Sequence, residues 1–216
     1  MKKALMGFRQ NAAWAGLLAP VLFVTVFTIA GLLRQSYDPL STYVSELALG
    51  PGGWIQMLNF VILGILLLVF SRGVAAEFRT GKASKGGLVL LLIIALLFIL
   101  SGIFVMDPTG TPPNQATIHG IIHGLSGGII FTLMPISCFV FLRRFRADPD
   151  WQLFQGWTLV LGNIIATAVI LLTLTSKVPV LQAAFAAWQG LIQRMIIIPF
   201  MLWLFLFAYR LFRLKK

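Results

Sequence analysis

The sequence LVLLLIIALLFIL, from Leu88 to Leu100, contains no polar side chain and no alternation between polar and apolar positions. It lies within a longer apolar stretch, Gly87 to Met106, which as a helix rising about 1.5 Å per residue can cross the roughly 30 Å hydrocarbon core of a bilayer. A strand of a membrane barrel would alternate in polarity, whereas a helix satisfies its own backbone hydrogen bonds within lipid. The stretch therefore predicts a membrane-spanning helix.

Five other stretches have the same apolar character and a length that can span a bilayer. They lie at about Ala12 to Leu33, Trp54 to Phe70, Thr117 to Leu142, Phe154 to Leu174 and Leu191 to Leu211. Of the 216 residues, 59% are hydrophobic and 11% are charged, whereas roughly a quarter are charged in soluble domains. No polar block is large enough to fold separately. The sequence therefore predicts one all-α membrane domain over residues 1–216, a six-helix bundle surrounded by the lipid bilayer.

The basic residues predict the orientation of this bundle. Fourteen of the seventeen fall on one side if the six stretches all span the membrane. They are Lys2, Lys3, Arg9, Arg72, Arg79, Lys82, Lys85, Arg143, Arg144, Arg146, Arg210, Arg213, Lys215 and Lys216. Only Arg34, Lys177 and Arg194 lie on the other side. Because cytoplasmic loops are enriched in Lys and Arg, we expect a multi-pass protein of the cell membrane with both termini in the cytoplasm. The dispersed positive charge does not indicate a nucleic-acid partner.

The first loop on the sparsely charged side has the pattern of a short helix. Asp38 is a typical N-cap residue, Pro39 suits the first helical position, and Gly50 would end the helix. Along such a helix the hydroxyl and carboxyl side chains, Ser45 and Glu46 among them, share one face. We expect a short interfacial helix that turns this polar face toward the bundle.

The fourth apolar stretch begins with two histidines, His119 and His123, which lie one turn apart on the same helix face. Such a pair can bind one metal ion, zinc being typical, with Asp107 as a third ligand and Glu46 as a fourth ligand or general base. Two alternatives remain open. The histidines can form hydrogen bonds with neighbouring helices or loops, or they can relay protons to Asp107.

Arg194 carries the second chemical signal on this side. Only fifteen residues separate it from Arg210, which corresponds to about 22 Å of helix against a hydrocarbon core of roughly 30 Å. Arg194 must therefore lie partly within the bilayer. A charge at that depth reaches for the headgroups or for a counter-ion, and we expect an ion pair with Glu46 or Asp107.

Three amides complete the set of candidate substrate-binding residues with Arg194. Gln189 and Gln193 lie one turn apart and would line the same region as the arginine. Asn59 lies deep in the second stretch, where an amide side chain faces the bundle and often bonds another helix. For Asn59, helix–helix hydrogen bonding is an alternative to substrate contact.

Small residues follow the histidines in the fourth stretch. Gly120 and Gly124 form a small-xxx-small pattern, and Gly127 and Gly128 extend it. Such patterns let a neighbouring helix approach closely in a membrane. We therefore expect another helix to pack tightly against the histidine face.

Short motifs occur along nearly the whole chain: Tyr37-Asp38-Pro39, Ser45-Glu46-Leu47, Asn59, Gly64, Gly102-Ile103-Phe104, Asp107, His119-Gly120, Gln193-Arg194, Pro199-Phe200 and Trp203. Together they resemble the prokaryotic domain of unknown function 998 family. The resemblance implies a six-helix bacterial or archaeal membrane protein with no assigned activity. The chain has Gln193-Arg194 where the family often carries Glu-Arg, which weakens any role that needs a carboxylate there.

Three functions are compatible with these residues. The first is a metal-dependent hydrolase of a lipid or other amphiphile, with Asp107, His119 and His123 as ligands and Glu46 or Ser45 assisting catalysis. The second is a non-enzymatic protein that binds or moves a small solute or proton through an outward-facing polar pocket. The third is a structural protein in which the polar residues only satisfy one another.

Overall fold

The structure is a computed structural model that describes residues 2–78 and 82–214. Its helices are α1 (Lys2–Leu33), α2 (Gly53–Glu77), α3 (Lys82–Ile103), α4 (Ile118–Ala147), α5 (Gln152–Lys177), α6 (Pro179–Ala184) and α7 (Gln189–Arg213). All except the short α6 are long and apolar enough to span a membrane. Helices account for 84% of the residues, and neither described segment contains a strand. The prediction of an all-α bundle with six spanning helices is confirmed.

The helices differ from the predicted stretches mainly at their ends. α2 continues to Glu77, beyond the apolar core, whereas α3 ends at Ile103, three residues before the predicted Met106. Pro108 disfavours a helical conformation in the residue before it, and the side chain of His123 bonds carbonyl groups at the end of α3 in place of further helical N–H groups. A tertiary contact thus helps set this boundary.

The six spanning helices form a ring in which neighbours in sequence are neighbours in space. α1 packs on α2, α2 on α3, α3 on α4 and α4 on α5, and α7 closes the ring between α5 and α1. The ring has two ends. We call them the low-charge end, which holds residues 34–52, 104–117 and 178–188, and the basic end, which holds residues 148–151, the start of α1 and the end of α7. Arg79, Lys215 and Lys216 lie outside the described residues.

Aromatic side chains fill the ring toward the basic end. Trp151 is fully buried, with its ring stacked on Phe145 at 5.1 Å and edge-on to Phe207 at 5.3 Å between centroids. One turn before Phe207 on α7, the indole Nε1–H of Trp203 donates a hydrogen bond to Thr158 Oγ1 at 3.1 Å. These contacts connect α4, α5 and α7 through apolar area and one buried polar pair.

The basic end also contains ion pairs. Arg9 Nη1 lies 3.1 Å from Glu77 Oε2, which joins α1 to the end of α2. Arg144 and Asp148 form a second pair at 3.0 Å across one helical turn. The first pair is largely buried, so removal of one partner would leave a charge with little access to water.

The first loop at the low-charge end contains a short helix, but its side chains do not point as predicted. It forms a 3-10 helix, Val44–Ala48, and its apolar side chains enter the bundle: Val44 is 0% and Leu47 3% exposed. Leu40, by contrast, is 43% exposed. A short helix is therefore present, and Ser45 is buried as well as Val44 and Leu47; the two apolar side chains turn inward because the open end of the ring offers apolar surface for them to cover.

α2 and α3 approach each other closely at glycines. A Cβ atom placed on Gly64 would lie 2.5 Å from Ala95 O, and one on Gly102 would lie 2.5 Å from Met57 O. Both obstacles are backbone atoms, which cannot rotate away. The absence of a side chain at these two positions permits the close packing of α2 against α3.

We predict that Gly64→Ala destabilises the protein by about 1–3 kcal/mol, because the added methyl group forces the two helices apart. The measurement is thermal unfolding of the purified protein in detergent. The matched control is Gly156→Ala, since a Cβ at Gly156 meets no atom within 4 Å. Equal stability of the two variants would contradict the observed approach of α2 and α3.

Candidate functional site

Two glutamines on α7 hold the first loop. Gln193 Oε1 accepts a hydrogen bond from Val44 N–H at 2.7 Å, and Gln189 Oε1 accepts one from the Tyr43 hydroxyl at 3.0 Å. Gln189 Nε2 donates to Thr175 O at 3.1 Å. Both glutamines lie in the predicted region, but these bonds go to the protein's own loop and to α5. The amide nitrogen of Gln193 forms no hydrogen bond with any described residue.

The backbone of the loop also joins the first turn of α7. Leu191 N–H, one of the helix N–H groups that has no partner within the helix, donates to Leu40 O at 2.8 Å. A Cβ on Gly190 would lie 2.4 Å from Thr42 O and 2.7 Å from Pro39 O. Glycine at position 190 therefore lets the loop rest directly on α7.

Arg194 binds this loop through neutral oxygen atoms. Its Nη1 donates to Thr42 O at 3.0 Å and to Gly190 O at 2.9 Å, and its Nη2 donates to the Tyr37 hydroxyl. Burial raises the pKa of Tyr37 and the charge of Arg194 partly opposes this rise. The net shift is upward, so the phenol is neutral near pH 7 and does not neutralise the guanidinium.

The predicted ion pair of Arg194 with Glu46 or Asp107 is wrong for the described residues, because no carboxylate oxygen lies within 4.0 Å of Arg194. Glu46 instead caps the 3-10 helix, with its Oε1 accepting Tyr43 N–H at 3.1 Å. The loop carbonyl groups need donors, and the long arginine side chain reaches them before it reaches a carboxylate.

A second arginine holds the other part of the loop. Arg34 Nη1 donates to Glu46 O at 3.0 Å, and its Nη2 donates to Leu49 O at 2.6 Å. Glu46 O lies in the 3-10 helix and also accepts Leu49 N–H at 3.0 Å, whereas Leu49 O lies just after the helix, where carbonyl groups lack helical partners. Arg34 is not among the site residues predicted from the sequence. Its position directly after the apolar α1 could have indicated a role at this end of the bundle.

Asp107 caps the start of α4. Its Oδ2 accepts Thr117 N–H at 2.9 Å and its Oδ1 accepts the Thr117 hydroxyl at 2.7 Å. Thr117 Oγ1 in turn accepts Gly120 N–H at 3.0 Å. A Cβ on Gly120 would lie 2.0 Å from Asp107 Oδ2. The carboxylate thus lies against the positive end of a helix dipole, which is a stabilising position for it.

The two histidines of α4 have different environments. His123 is 8% exposed, and its Nδ1 lies 3.1 Å from Ser101 O and 2.8 Å from Phe104 O. Because carbonyl oxygens only accept, Nδ1 carries the proton and caps the end of α3, and Nε2 is the unprotonated acceptor. His119 is exposed, with its ring 5.2 Å from that of Phe104.

The donor set does not fit a zinc site. Over residues 2–78 and 82–214, no three His, Cys, Asp or Glu side chains lie together in a way that could hold a metal ion. The carboxylate of Asp107 is bonded to Thr117 and His123 Nδ1 to the end of α3. His119 is exposed. We therefore assign no catalytic step to a metal.

The glycine face of α4 borders open space. Cβ atoms placed on Gly124, Gly127 and Gly128 would meet no atom within 4 Å. The expectation of tight helix packing at this face is wrong, since the ring separates α4 from α7 here and leaves a groove of about 490 Å³. Residues from the first loop and from α2, α3, α4, α5 and α7 line it. We call this space the glycine groove.

The wall of the glycine groove is mainly apolar but contains a few polar groups. His123 and Gln193 line it, each with one side-chain nitrogen that has no hydrogen-bond partner among the described residues. Ser101 Oγ is buried without a partner, and Ser45 also lines the groove. An apolar pocket with a few polar groups is the usual make-up of a small-molecule site.

Asn59 does not line the groove. Its Nδ2 donates to Phe23 O at 3.1 Å and to Gln56 Oε1 at 3.2 Å, which joins α2 to α1. These bonds correspond to the helix–helix alternative. The aromatic groove residues Phe60 and Phe98 were not selected from the sequence, because nothing distinguishes them there from the other apolar residues of their helices.

The comparisons with known proteins give one match. A family model described as "Protein of unknown function (DUF998)" matches residues 17–210, which is 194 of the 216 residues. No curated protein and no solved structure matches the chain. The matched range includes the first loop, its contacts on α7 and the residues of the glycine groove. The family description assigns no activity.

We predict that His123→Ala destabilises the protein by about 1–3 kcal/mol, because two buried carbonyl groups at the end of α3 lose their donor. The control His119→Ala should change stability by less than about 0.5 kcal/mol, as is usual for exposed positions. Thermal unfolding in detergent measures both. A metal pair would instead give two variants with similar defects and a stabilising effect of added zinc on wild type alone.

Proposed function

The chain belongs to the DUF998 family, and we propose that this multi-pass membrane protein binds an amphiphilic molecule in the glycine groove. One observation carries the proposal. Three glycines of α4 border open space in the middle of a helix, next to the buried Ser101 hydroxyl, which has no partner, and to nitrogens of His123 and Gln193 that form no hydrogen bond with a described residue. Space of this kind inside a membrane protein is filled by lipid chains or by a ligand.

The polar atoms limit the chemistry of the ligand. The unprotonated Nε2 of His123 accepts a hydrogen bond, whereas the amide nitrogen of Gln193 donates one. A ligand group that both donates and accepts, such as a hydroxyl or an amide, would satisfy the two together. A plain hydrocarbon chain that covered these two atoms would leave them without partners, at a cost of about 1–3 kcal/mol for each buried polar atom, so a ligand that pairs them is favoured.

The rest of the groove favours an apolar chain. Phe60 and Phe98 contribute aromatic surface, and Phe131, Leu172 and Ile197 contribute further apolar area. Asp107 is the charged residue among the lining residues, and its carboxylate already bonds Thr117. The groove therefore suits an uncharged head and one hydrocarbon chain better than an ionic solute.

Binding is favoured over hydrolysis by the places of the predicted catalytic residues. Ser45 lines the groove, but Glu46, the predicted general base, does not line it, and its Oε1 bonds Tyr43 N–H. A nucleophile without a base at hydrogen-bonding distance has low reactivity. The structural alternative predicts no saturable ligand at all, so the binding experiment below separates it from this proposal.

We predict that Gly127→Leu weakens binding of a dansyl amide with one alkyl chain by at least about tenfold, or ~1.4 kcal/mol, because the new side chain occupies the groove. The measurement is the increase in dansyl fluorescence on titration of purified protein in detergent. Gly156→Leu is the matched control, since Gly156 also borders open space but lies on α5 outside the groove.

Equal affinity of wild type, Gly127→Leu and Gly156→Leu would place the probe elsewhere on the protein and would overturn the proposal. Absence of saturable binding in wild type would favour the structural role. Loss of binding in Gly127→Leu alone, at unchanged thermal stability, is the supporting result.

We further propose that the basic end faces the cytoplasm and that the glycine groove opens toward the outer side of the cell membrane. The support is the distribution of charge: at the low-charge end the cations are Arg34, Lys177 and Arg194. Two of these are bonded to loop carbonyl groups, whereas Arg143 and Arg146 at the basic end are exposed or partly exposed. This asymmetry agrees with the positive-inside rule.

We predict that, in a Cys138→Ala background, Thr109→Cys reacts with a membrane-impermeant maleimide in intact cells and Ala147→Cys reacts only after permeabilisation. Both positions are exposed and lie at opposite ends of the bundle. Cys138, the single native cysteine, is buried, so its replacement removes background labelling. The reverse labelling pattern would invert the proposed orientation.

A further inference from the structure

We propose a phosphate-binding site between Arg34 and Arg194, distinct from the glycine groove and suited to the headgroup of an anionic lipid. The two arginines line a cavity of about 230 Å³ together with Thr28, Gly31 and Tyr37. This cavity shares no lining residue with the glycine groove. We call it the arginine cavity.

The guanidinium groups have donors to spare. Each guanidinium carries five N–H donors. Arg34 uses two of them on loop carbonyl groups, and Arg194 uses three on Thr42, Gly190 and the Tyr37 hydroxyl. Neither Nε has a hydrogen-bond partner among the described residues, and neither is fully buried, so these two N–H groups have access to the surroundings. Because both arginines line the cavity, two guanidinium groups are available to the several oxygen atoms of a phosphate.

The bonds that hold these arginines do not neutralise them. All the acceptors are carbonyl or hydroxyl oxygens, and no carboxylate oxygen of the described residues lies within 4.0 Å of either guanidinium. The nearest acidic residues are engaged in their own loop: Asp38 accepts Leu40 N–H and the Ser41 hydroxyl, and Glu46 caps the 3-10 helix. The charges of Asp38 and Glu46 act on this group of residues, but neither carboxylate lines the cavity, so an anion there would adjoin two arginines and no carboxylate.

The position of the arginine cavity fits a lipid headgroup. Leu32 and Leu33, the last residues of α1, are 81% and 80% exposed, which marks a surface that lipid chains cover. Arg34 follows them directly. The cavity thus lies where the apolar surface of α1 ends, which is the level of the phosphate groups in a bilayer. Tyr37 packs on Gly31, where a Cβ would lie 2.8 Å from its ring, and forms one wall.

The experiment avoids the arginines, since their replacement would release the first loop. Thr28→Phe fills the arginine cavity from α1, and Thr173→Phe is the matched control on α5. Both threonines are exposed, and each hydroxyl bonds the carbonyl four residues before it, at 2.7 Å for Thr28 and 2.8 Å for Thr173. Thr173 lines neither cavity.

The probes are a monoacylglycerol phosphate and the uncharged monoacylglycerol with the same chain, titrated into purified full-length protein in detergent and followed by native mass spectrometry. We expect wild type and Thr173→Phe to bind the phosphate lipid at least about tenfold more tightly than the uncharged lipid, a difference of ~1.4 kcal/mol. Thr28→Phe should bind both lipids alike. Competition by millimolar inorganic phosphate would assign the site to free phosphate instead of a lipid.

Two results would overturn the inference: equal affinity of wild type for the two lipids, or an undiminished preference in Thr28→Phe. A fatty acid with the same chain that binds as tightly as the phosphate lipid would overturn the assignment to phosphate. Gly127→Leu distinguishes the groove proposal from the arginine-cavity proposal. It should weaken binding of the dansyl amide and leave the preference for the phosphate lipid unchanged.

Discussion

The low-charge end depends on one constraint: backbone groups of a loop that enters a membrane bundle must find partners in the protein itself. The first loop leaves α1, forms the 3-10 helix Val44–Ala48 and turns into α2. Arg34, Gln193 and Arg194 supply its missing hydrogen bonds. The polar side chains that the sequence presents as candidates for chemistry are therefore used first to hold the loop in place.

The same requirement explains the remaining polar residues at this end. His123 donates to carbonyl groups at the end of α3, and Asp107 accepts the N–H group of Thr117 at the start of α4. One imidazole and one carboxylate thus complete two neighbouring helix ends. The Nδ1–H of His123 and the carboxylate of Asp107 are thus used by the fold, whereas atoms beside them, such as His123 Nε2, are available to bond a ligand.

The docked loop also separates two cavities of different character. Val44 and Ser45 line the glycine groove, whereas Tyr37 and Pro39 line the arginine cavity. Gln193 and Arg194 are adjacent in α7, and Gln193 lines the glycine groove whereas Arg194 lines the arginine cavity. The groove offers an apolar wall with uncharged hydrogen-bonding atoms, and the cavity offers two positive charges. One segment of chain therefore creates two chemically distinct surfaces.

The six spanning helices follow from the sequence alone, because lipid leaves an apolar stretch such as Leu88 to Leu100 only one way to satisfy its backbone. Helix spacing also predicted that Gln189, Gln193 and Arg194 lie together at one end of α7, whereas their contact with the first loop is a tertiary feature. The direction of side chains was not: Val44 turns inward, Glu46 caps its own helix, and Gly127 borders open space. Hydrophobic periodicity is local, whereas hydrogen-bond partners and gaps between helices arise only when the ring closes, so tertiary structure alone decided them.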